Sequence, residues 1–347
     1  AALRKMTEIL TSQNRLWADL TKAECESLAY EVIEQLAPRL QREILLSSAR
    51  FHYLKRKLRN TVSRSAWALT RQAKASGFSP VALEVPFGPG KDLPPLQFTL
   101  PNGVKMEVVG RIDRVDKGKT SQGTLLRIID YKSSEKDIKL SDVYYGLALQ
   151  MLAYLDVVLT HSKTWLGVDS EPAGVLYFHV HNPMLSVSEA LTDEDIEKEL
   201  FKKFKMKGLI LKDEDVAKLM DQTLDKGVSS MVIPAAIKKD GTFKANSKVA
   251  SREDFQMLRR HVRDVMTRAG SEITDGVVDI APYKMGEATP CRFCAFKPVC
   301  QFDQSLVENQ FRVLKKENDE AIYEKMRQKL SEKIEKKGGE DGDRNDR

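Results

Sequence analysis

Cysteine is scarce, with four in 347 residues. Three of them crowd into CRFCAFKPVC as Cys291, Cys294 and Cys300, and Cys25 lies far upstream. An extracellular disulfide framework uses more cysteines and spreads them more evenly, so that class is not expected. Long apolar runs are also missing. No stretch approaches the roughly 18–20 residues needed to span a bilayer. The opening AALRKMTEIL lacks the apolar segment and cleavage site of a signal peptide. These absences point to a cytoplasmic chain with no membrane partner. Charge of one sign does not dominate either: 56 Lys+Arg against 50 Asp+Glu leaves +6, which permits a nucleic-acid partner without demanding one. A phosphate loop is absent too. FGPGKD at 87–92 carries Val85 where the first glycine belongs and Asp92 in place of Ser/Thr, so ATP hydrolysis is not encoded here. With 41% apolar and 31% charged residues, what is left is an ordinary globular composition.

The texture changes along the chain. Residues 1–75 carry apolar side chains at helical spacing, Leu28, Val32, Leu36, Leu40 and Leu45 among them, and end near a GFSP turn. From Val81 to Asp130, short apolar runs alternate with turn residues, and PNG at 101–103 reads as a hairpin. A helix is expected from about Val143 to Leu159, and a strand over GVLYFHVH at 174–181. Residues 188–285 read as a helical insertion, 286–306 as a cysteine segment, and 307–347 as a charged helix running into a disordered tail. That helix shows an apolar stripe of Ile322, Met326, Leu330 and Ile334. The whole reads as a mixed α/β core spanning about 76–187, with helical additions.

GRIDRVD and RIIDYKSS hold the chemistry. Asp113 and Asp130 each sit on a β-prone run, and strand alternation sends Asp130 and Lys132 to one face. If a turn between Lys117 and Gly123 pairs the two runs, Asp113 lies beside Asp130. Two adjacent carboxylates repel unless a cation or proton sits between them, and Mg²⁺ or Mn²⁺ suits such oxygen ligands. A bound metal lowers the pKa of its water, and Lys132 orients that water or stabilises developing charge. Neither aspartate is expected in the core. Aspartates also cap strand ends, and the spacing alone leaves both readings open. Glu84 stands just upstream in LEVPFG. Gln150 and Tyr154 lie four apart, on one helical face.

Together, Glu84, GRID, DYKSS and this Gln-x-x-x-Tyr resemble the RecB-like branch of the PD-(D/E)xK nucleases. Ile112 stands where the family name has proline, a departure usual in that branch. The resemblance implies a restriction-endonuclease-like fold, with a mixed sheet flanked by helices. It also implies a metal held by Asp113, Asp130 and the Tyr131 carbonyl, with Glu84, Lys132, Gln150 and Tyr154 completing the catalytic set.

Cys291-x-x-Cys294 and Cys300 have thiolate-ligand spacing, yet no further Cys or His lies within 20 residues to complete a zinc site. An iron–sulfur cluster accepts a fourth cysteine from far away in sequence. The trio resembles the [4Fe-4S] staple of AddB-type nucleases, whose remaining cysteine precedes the nuclease core. AALRKM resembles the sequence following that family's conserved His, so the fourth ligand is expected upstream of Ala1. Cys25, in TKAECESL, is the less favoured candidate and reads better as a bystander on a helix. The family implies a module that cuts the 5′-ended strand of single- or double-stranded DNA. It also implies an AddA-type helicase–nuclease partner, with which it resects double-strand breaks for recombinational repair. Two other readings stay open: a DNA-end-binding scaffold that keeps the staple but not catalysis, and a stand-alone RecB-like exonuclease. Outside these motifs, His179 and His181 alternate on one strand, the basic runs LKRKLRN (54–60) and LRRHVRD (258–264) are candidate phosphate contacts, and Trp17, Trp67 and Trp165 read as core.

Overall fold

The computed structural model describes residues 1–342 except 41, 188 and 308, with side chains described as far as residue 332. The chain divides into two compact units that interleave in sequence. The first comprises 1–95, 109–137 and 154–252, and the second 96–108, 138–153 and 253–347.

In the first unit, α1 (Ala2–Ser12), α2 (Lys22–Leu36) and α3 (Ala49–Lys74) form the expected helical start. Thr21 caps α2 through a reciprocal pair of bonds with Glu24. Cys25, Ala29 and Val32 of α2 and Ala66 and Leu69 of α3 are buried in the unit's core. The helical spacing read as far as Leu45 stops at Leu36, because Pro38 lies in a 3₁₀ turn (37–39), and Leu40 is exposed.

A six-stranded sheet follows, built from β1 (Ser79–Phe87), β4 (Gly110–Thr120), β5 (Gly123–Lys132), β6 (Ser170–His179), β7 (Lys207–Leu211) and β8 (Val249–Ala250), in that spatial order. β1, β4 and β5 are antiparallel neighbours, β6 pairs parallel to β5, and β7 runs antiparallel to β6. Fully buried Ile112, Leu126, Ile128, Val175 and Leu176 line this sheet. The β4–β5 turn is tighter than expected, since pairing continues to Thr120 and Gly123. The stretch expected as a helical insertion contributes both β7 and β8, because GLIL in β7 is apolar and buried on both faces. Its helices within this unit are α6 (Asp193–Lys202) and α7 (Glu214–Met220).

The second unit holds the PNG hairpin, β2 (Leu96–Thr99) and β3 (Lys105–Val108), together with α4 (Leu140–Tyr144), the first turn of α5 (Gln150–Leu166) and nearly all of α8 (Arg252–Thr274). The helix expected over 143–159 is therefore two helices. Gly146 takes φ +81° after α4, a left-handed conformation that ends a helix readily and that β-carbon-bearing residues resist. Further on come β9 (Tyr283–Lys284), α9 (Lys297–Cys300), β10 (Arg312–Val313) and α10 (Asp319–Gly342). Ile322 and Met326 of the apolar stripe are buried and Leu330 is half-buried, while the Ile334 side chain lies outside the described residues. α10 continues through Gly338 to Gly342, into the stretch expected as disordered tail, and residues 343–347 lie outside the described residues.

Candidate active site

The register of the first unit's sheet brings the acidic residues together. Leu83 pairs with Arg114 and Val85 with Ile112, which sets Glu84 level with Asp113. Arg114 pairs with Ile129, which sets Asp113 level with Asp130. Asp130 pairs in turn with Tyr177 of β6. Three carboxylates and a phenol thus form one row across β1, β4, β5 and β6. Glu84 departs from strand geometry with φ +49°, a strain of about 1–3 kcal/mol of the kind found at functional sites. Its carboxylate pairs with Arg111 Nε at 3.2 Å.

Asp113 is half-buried, and its Oδ2 accepts the Tyr131 backbone N–H at 3.0 Å. Asp130 is 1% exposed, so the expectation that neither aspartate belongs to the core fails for it. Central strand β5, paired on both sides, carries it inward. Lys132 Nζ meets Asp130 Oδ2 at 2.6 Å, the same-face contact that alternation predicts. Apart from that ion pair, Asp130 Oδ2 is buried without a hydrogen-bond partner. Burial pushes the Asp130 carboxyl above the usual carboxylate range, and the Asp113 charge adds to this against the opposing pull of Lys132.

Glu84 and Asp113 line a cavity of about 350 Å³ with Ala1, Arg4, Val62 and Ser133. Tyr154 is half-buried, its ring edge-on to Phe87 at 5.8 Å. Gln150 begins α5, is exposed, and belongs to the second unit. The first unit therefore assembles Glu84, Asp113 and Asp130 in one row, with Lys132 beside it on β5 and Gln150 described apart from it. His179 and His181 stack on each other at 4.0 Å, and His181 Nδ1 lies 3.0 Å from the His179 carbonyl.

Two features escaped sequence reasoning. Tyr177 is one: burial, with the nearby Asp130 and Asp137 charges, pushes its phenol up to about 12. GVLYFHVH marks a strand, but only the parallel β5–β6 register sets this tyrosine against Asp130. The second is a buried charge cluster on the other face of β4 and β5. Arg114 contacts Asp116 through Nε–Oδ1 at 2.6 Å and Nη2–Oδ2 at 2.9 Å. Arg127 Nε adds a bond to Asp116 Oδ2 at 2.9 Å, and Arg114 Nη1 donates to the Tyr131 hydroxyl at 3.3 Å. Burial opposes ionisation, yet Arg114 and Arg127 hold the Asp116 carboxyl below its usual range. The period-2 spacing of Arg114 and Asp116 in GRIDRVD was the available signal.

The cysteines sit on short elements. Cys291 lies in a 3₁₀ turn, Cys294 just after it, and Cys300 ends α9. Among the described residues, no group of three or more His, Cys, Asp or Glu closes around a metal position. Cys25 is fully buried in the first unit, its Sγ 3.4 Å from Thr70 Oγ1.

A protein-family model, described as the PD-(D/E)XK nuclease superfamily, matches residues 2–301. The chain belongs to the PD-(D/E)XK nuclease superfamily. It is 54% identical over 327 residues, 94% of its length, to the ATP-dependent helicase/deoxyribonuclease B subunit of Bacillus licheniformis. To the protein of the same name from Bacillus cereus ATCC 14579 it is 56% identical over 334 residues, 95% of its length. It spans 28% of the length of each of these curated relatives.

As a member of this superfamily, the chain offers a metal two carboxylates rather than a closed cage. Mg²⁺ is commonly bound by one or two carboxylates with several waters retained, so the donor set of Asp113 and Asp130 fits it. The buried Asp130 Oδ2, which meets Lys132 Nζ and no other partner among the described residues, is the oxygen that such a cation would share. The thiols meet no equivalent test, since they do not converge into a metal-holding group.

Proposed function

We propose that this chain is a divalent-metal-dependent deoxyribonuclease module, using Mg²⁺ or Mn²⁺ held by Asp113, Asp130 and the Tyr131 carbonyl. The observation that carries the reading is the row of Glu84, Asp113 and Asp130 with Lys132 Nζ 2.6 Å from the buried Asp130 oxygen. A bound divalent ion would supply Lewis-acid polarisation of a phosphate and a water of lowered pKa. The chain's own residues do the rest. Asp113 is oriented by the Tyr131 N–H, so its carboxylate is set before substrate arrives. Lys132 holds a positive charge beside the acidic pair, where it orients a nucleophilic water or stabilises charge developing on phosphate. Tyr177, its phenol held neutral, faces the same carboxylate.

By its likeness to the helicase/deoxyribonuclease B subunits, the module acts within a bacterial helicase–nuclease beside an AddA-type subunit. There it cuts the 5′-ended strand during resection of double-strand breaks for recombinational repair, in the cytoplasm. For the second unit, the reading is a [4Fe-4S] staple on Cys291, Cys294 and Cys300. It is supported by their spacing alone, with Cys25, buried beside Thr70, the less favoured fourth ligand.

The test is cleavage of end-labelled DNA with and without Mg²⁺. Wild-type protein should cleave only with the metal, and Asp113→Asn and Asp130→Asn should not cleave. Metal-independent cleavage, or near wild-type rates in both variants, would overturn the reading. A DNA-end-binding scaffold would instead bind DNA and cleave it under no condition.

A further inference from the structure

The basic character of this chain is concentrated in one helix. α3 carries eight Lys and Arg residues and no Asp or Glu. The whole chain's excess is +6, so the remainder sums to −2.

These charges are arranged on the helix. Tyr53, Arg56, Lys57, Asn60, Arg64 and Trp67 follow the i, i+3, i+4 spacing of a single face. They lie away from Val62, Ala66 and Leu69, which are buried. The face extends to Arg71, about 27 Å along the axis from Tyr53 at the usual helical rise.

Arg50, Arg56, Lys57 and Arg59 form no ion pair with a carboxylate among the described residues. Arg64 donates to the Pro183 carbonyl at 3.0 Å, which orients its guanidinium without neutralising it. Two carboxylates near this helix are already engaged: Glu34 with Lys55, and Glu197 with Lys22 and the Trp67 indole. Glu26 lines the adjoining grooves.

Exposed rings stand among the cations. Tyr53 is 48% exposed, with Lys57 Nζ 5.0 Å from its centroid. Tyr30 of α2 is 49% exposed, with the Arg59 guanidinium at 5.1 Å. Trp67, expected in the core, is half-buried at a groove of about 160 Å³ with Arg64 and Arg71.

The other basic run supplies a contrast. On α8, Leu258 and Val262 turn inward, Arg259 and Arg263 are partnered, and the helix carries acids of its own.

Uncompensated cations interleaved with exposed aromatic rings match a polyanion with free π-faces. Cations track phosphates, and rings receive unstacked bases, each worth about 1–3 kcal/mol. A duplex offers no unstacked base, and an acidic protein surface needs no stacking platform. We propose that the outer face of α3, with Tyr30 beside it, is a binding track for single-stranded nucleic acid, separate from the carboxylate cavity. It rests on the nuclease reading only in taking DNA as the probe.

The test measures fluorescence anisotropy of a labelled oligothymidylate with the 347-residue protein in EDTA, where neither metal nor cleavage contributes. Arg56→Gln/Lys57→Gln/Arg64→Gln should weaken binding at least tenfold. It should also lower the slope of log affinity against log salt by about 2, at roughly 0.7 per lost single-strand phosphate contact. Arg56→Lys/Arg64→Lys should keep that slope. Tyr30→Ala/Tyr53→Ala should weaken oligothymidylate binding about tenfold and leave binding of an abasic strand of equal length unchanged. An unaltered affinity and salt slope in the charge variant would overturn the track. Equal loss for abasic and thymidylate strands in the tyrosine variant would remove the base platforms and overturn the single-strand assignment. Because these readouts need no metal, strand binding can survive while Asp113→Asn and Asp130→Asn cleave normally. That result would sink the nuclease reading alone.

Discussion

The first unit's acidic row and the second unit's cysteine segment are two candidate ligand sites built in opposite ways. Glu84, Asp113, Asp130 and Lys132 sit on strands locked into a ladder, so the backbone positions them before any ligand binds. Cys291, Cys294 and Cys300 sit on a 3₁₀ turn and a one-turn helix, among side chains as open as Phe293, 87% exposed, and Val299, 84% exposed. A site on a sheet gains its precision from hydrogen bonds that folding makes anyway. A site on isolated turns gains it only when ligand bonds supply the missing enthalpy. The same chain thus carries one cluster ordered by a sheet and one borne on isolated turns.

The largest effect expected is on catalysis. Asp113→Asn and Asp130→Asn should each lower Mg²⁺-dependent cleavage by about 10³-fold or more, about 4 kcal/mol of transition-state stabilisation. The circular dichroism of the ladder should be unchanged. If either variant instead loses its fold, the acidic row is part of the scaffold and the contrast collapses.

On the reverse face of the same strands the effect should fall on stability. Asp116→Asn leaves two buried guanidinium groups without their carboxylate and should cost about 3–5 kcal/mol in denaturant unfolding. Its pH dependence has a definite sign. The folded carboxyl is held below its unfolded value, so its contribution is fully present above the ordinary carboxylate range. It is lost as pH falls through the lowered folded value. Wild-type protein should therefore weaken in acid along a slope that the Asn variant lacks. Parallel slopes in the two proteins would show that Asp116 does not carry this linkage.

Lys132→Ala separates charge from ligation. Cleavage should drop about 10²-fold, while calorimetric titration still shows Mg²⁺ binding, since an ammonium is no ligand. Loss of metal binding would reassign Lys132 to ordering the carboxylates.

Smaller still should be the effect of the second site on the first. Replacing Cys291, Cys294 and Cys300 by serine should abolish bound iron and visible absorbance in anaerobically purified protein. Cleavage should change by about threefold at most, within ~0.6 kcal/mol. A collapse of cleavage would tie the two sites together. Smallest is Cys25→Ser, expected to cost about 1 kcal/mol of stability from placing a hydroxyl where a thiol is buried, with iron content unchanged. Iron lost in that variant would make Cys25 a ligand after all.

Much of this was legible in the sequence because it depends on neighbours along the chain. Alternation alone places Asp130 and Lys132 on one face, and the PNG hairpin closes β2 on β3 as its turn residues require. The helix expected over 143–159 was misread because Val143, Leu147 and Met151 keep helical spacing across Gly146, whose left-handed backbone only the fold reveals. β7 and β8 were hidden inside a charged, helix-rich stretch. A four-residue apolar run does not declare itself a strand until a partner edge is present.

The amino-acid sequence by itself determined which chemistry was available: two aspartates and a lysine at strand spacing, three clustered cysteines, and a helix without an acid. Tertiary structure decided which of these meet, and how deeply. Only the order β1-β4-β5-β6 aligns Glu84, Asp113, Asp130 and Tyr177, and only a doubly paired central strand buries Asp130 enough to raise its pKa. Only the packing of α3 on α2 turns the buried residues of α3 inward and leaves its cationic face outside. Local pattern follows from covalent geometry and side-chain spacing, whereas register and burial arise from contacts between residues remote in sequence, which no short window contains.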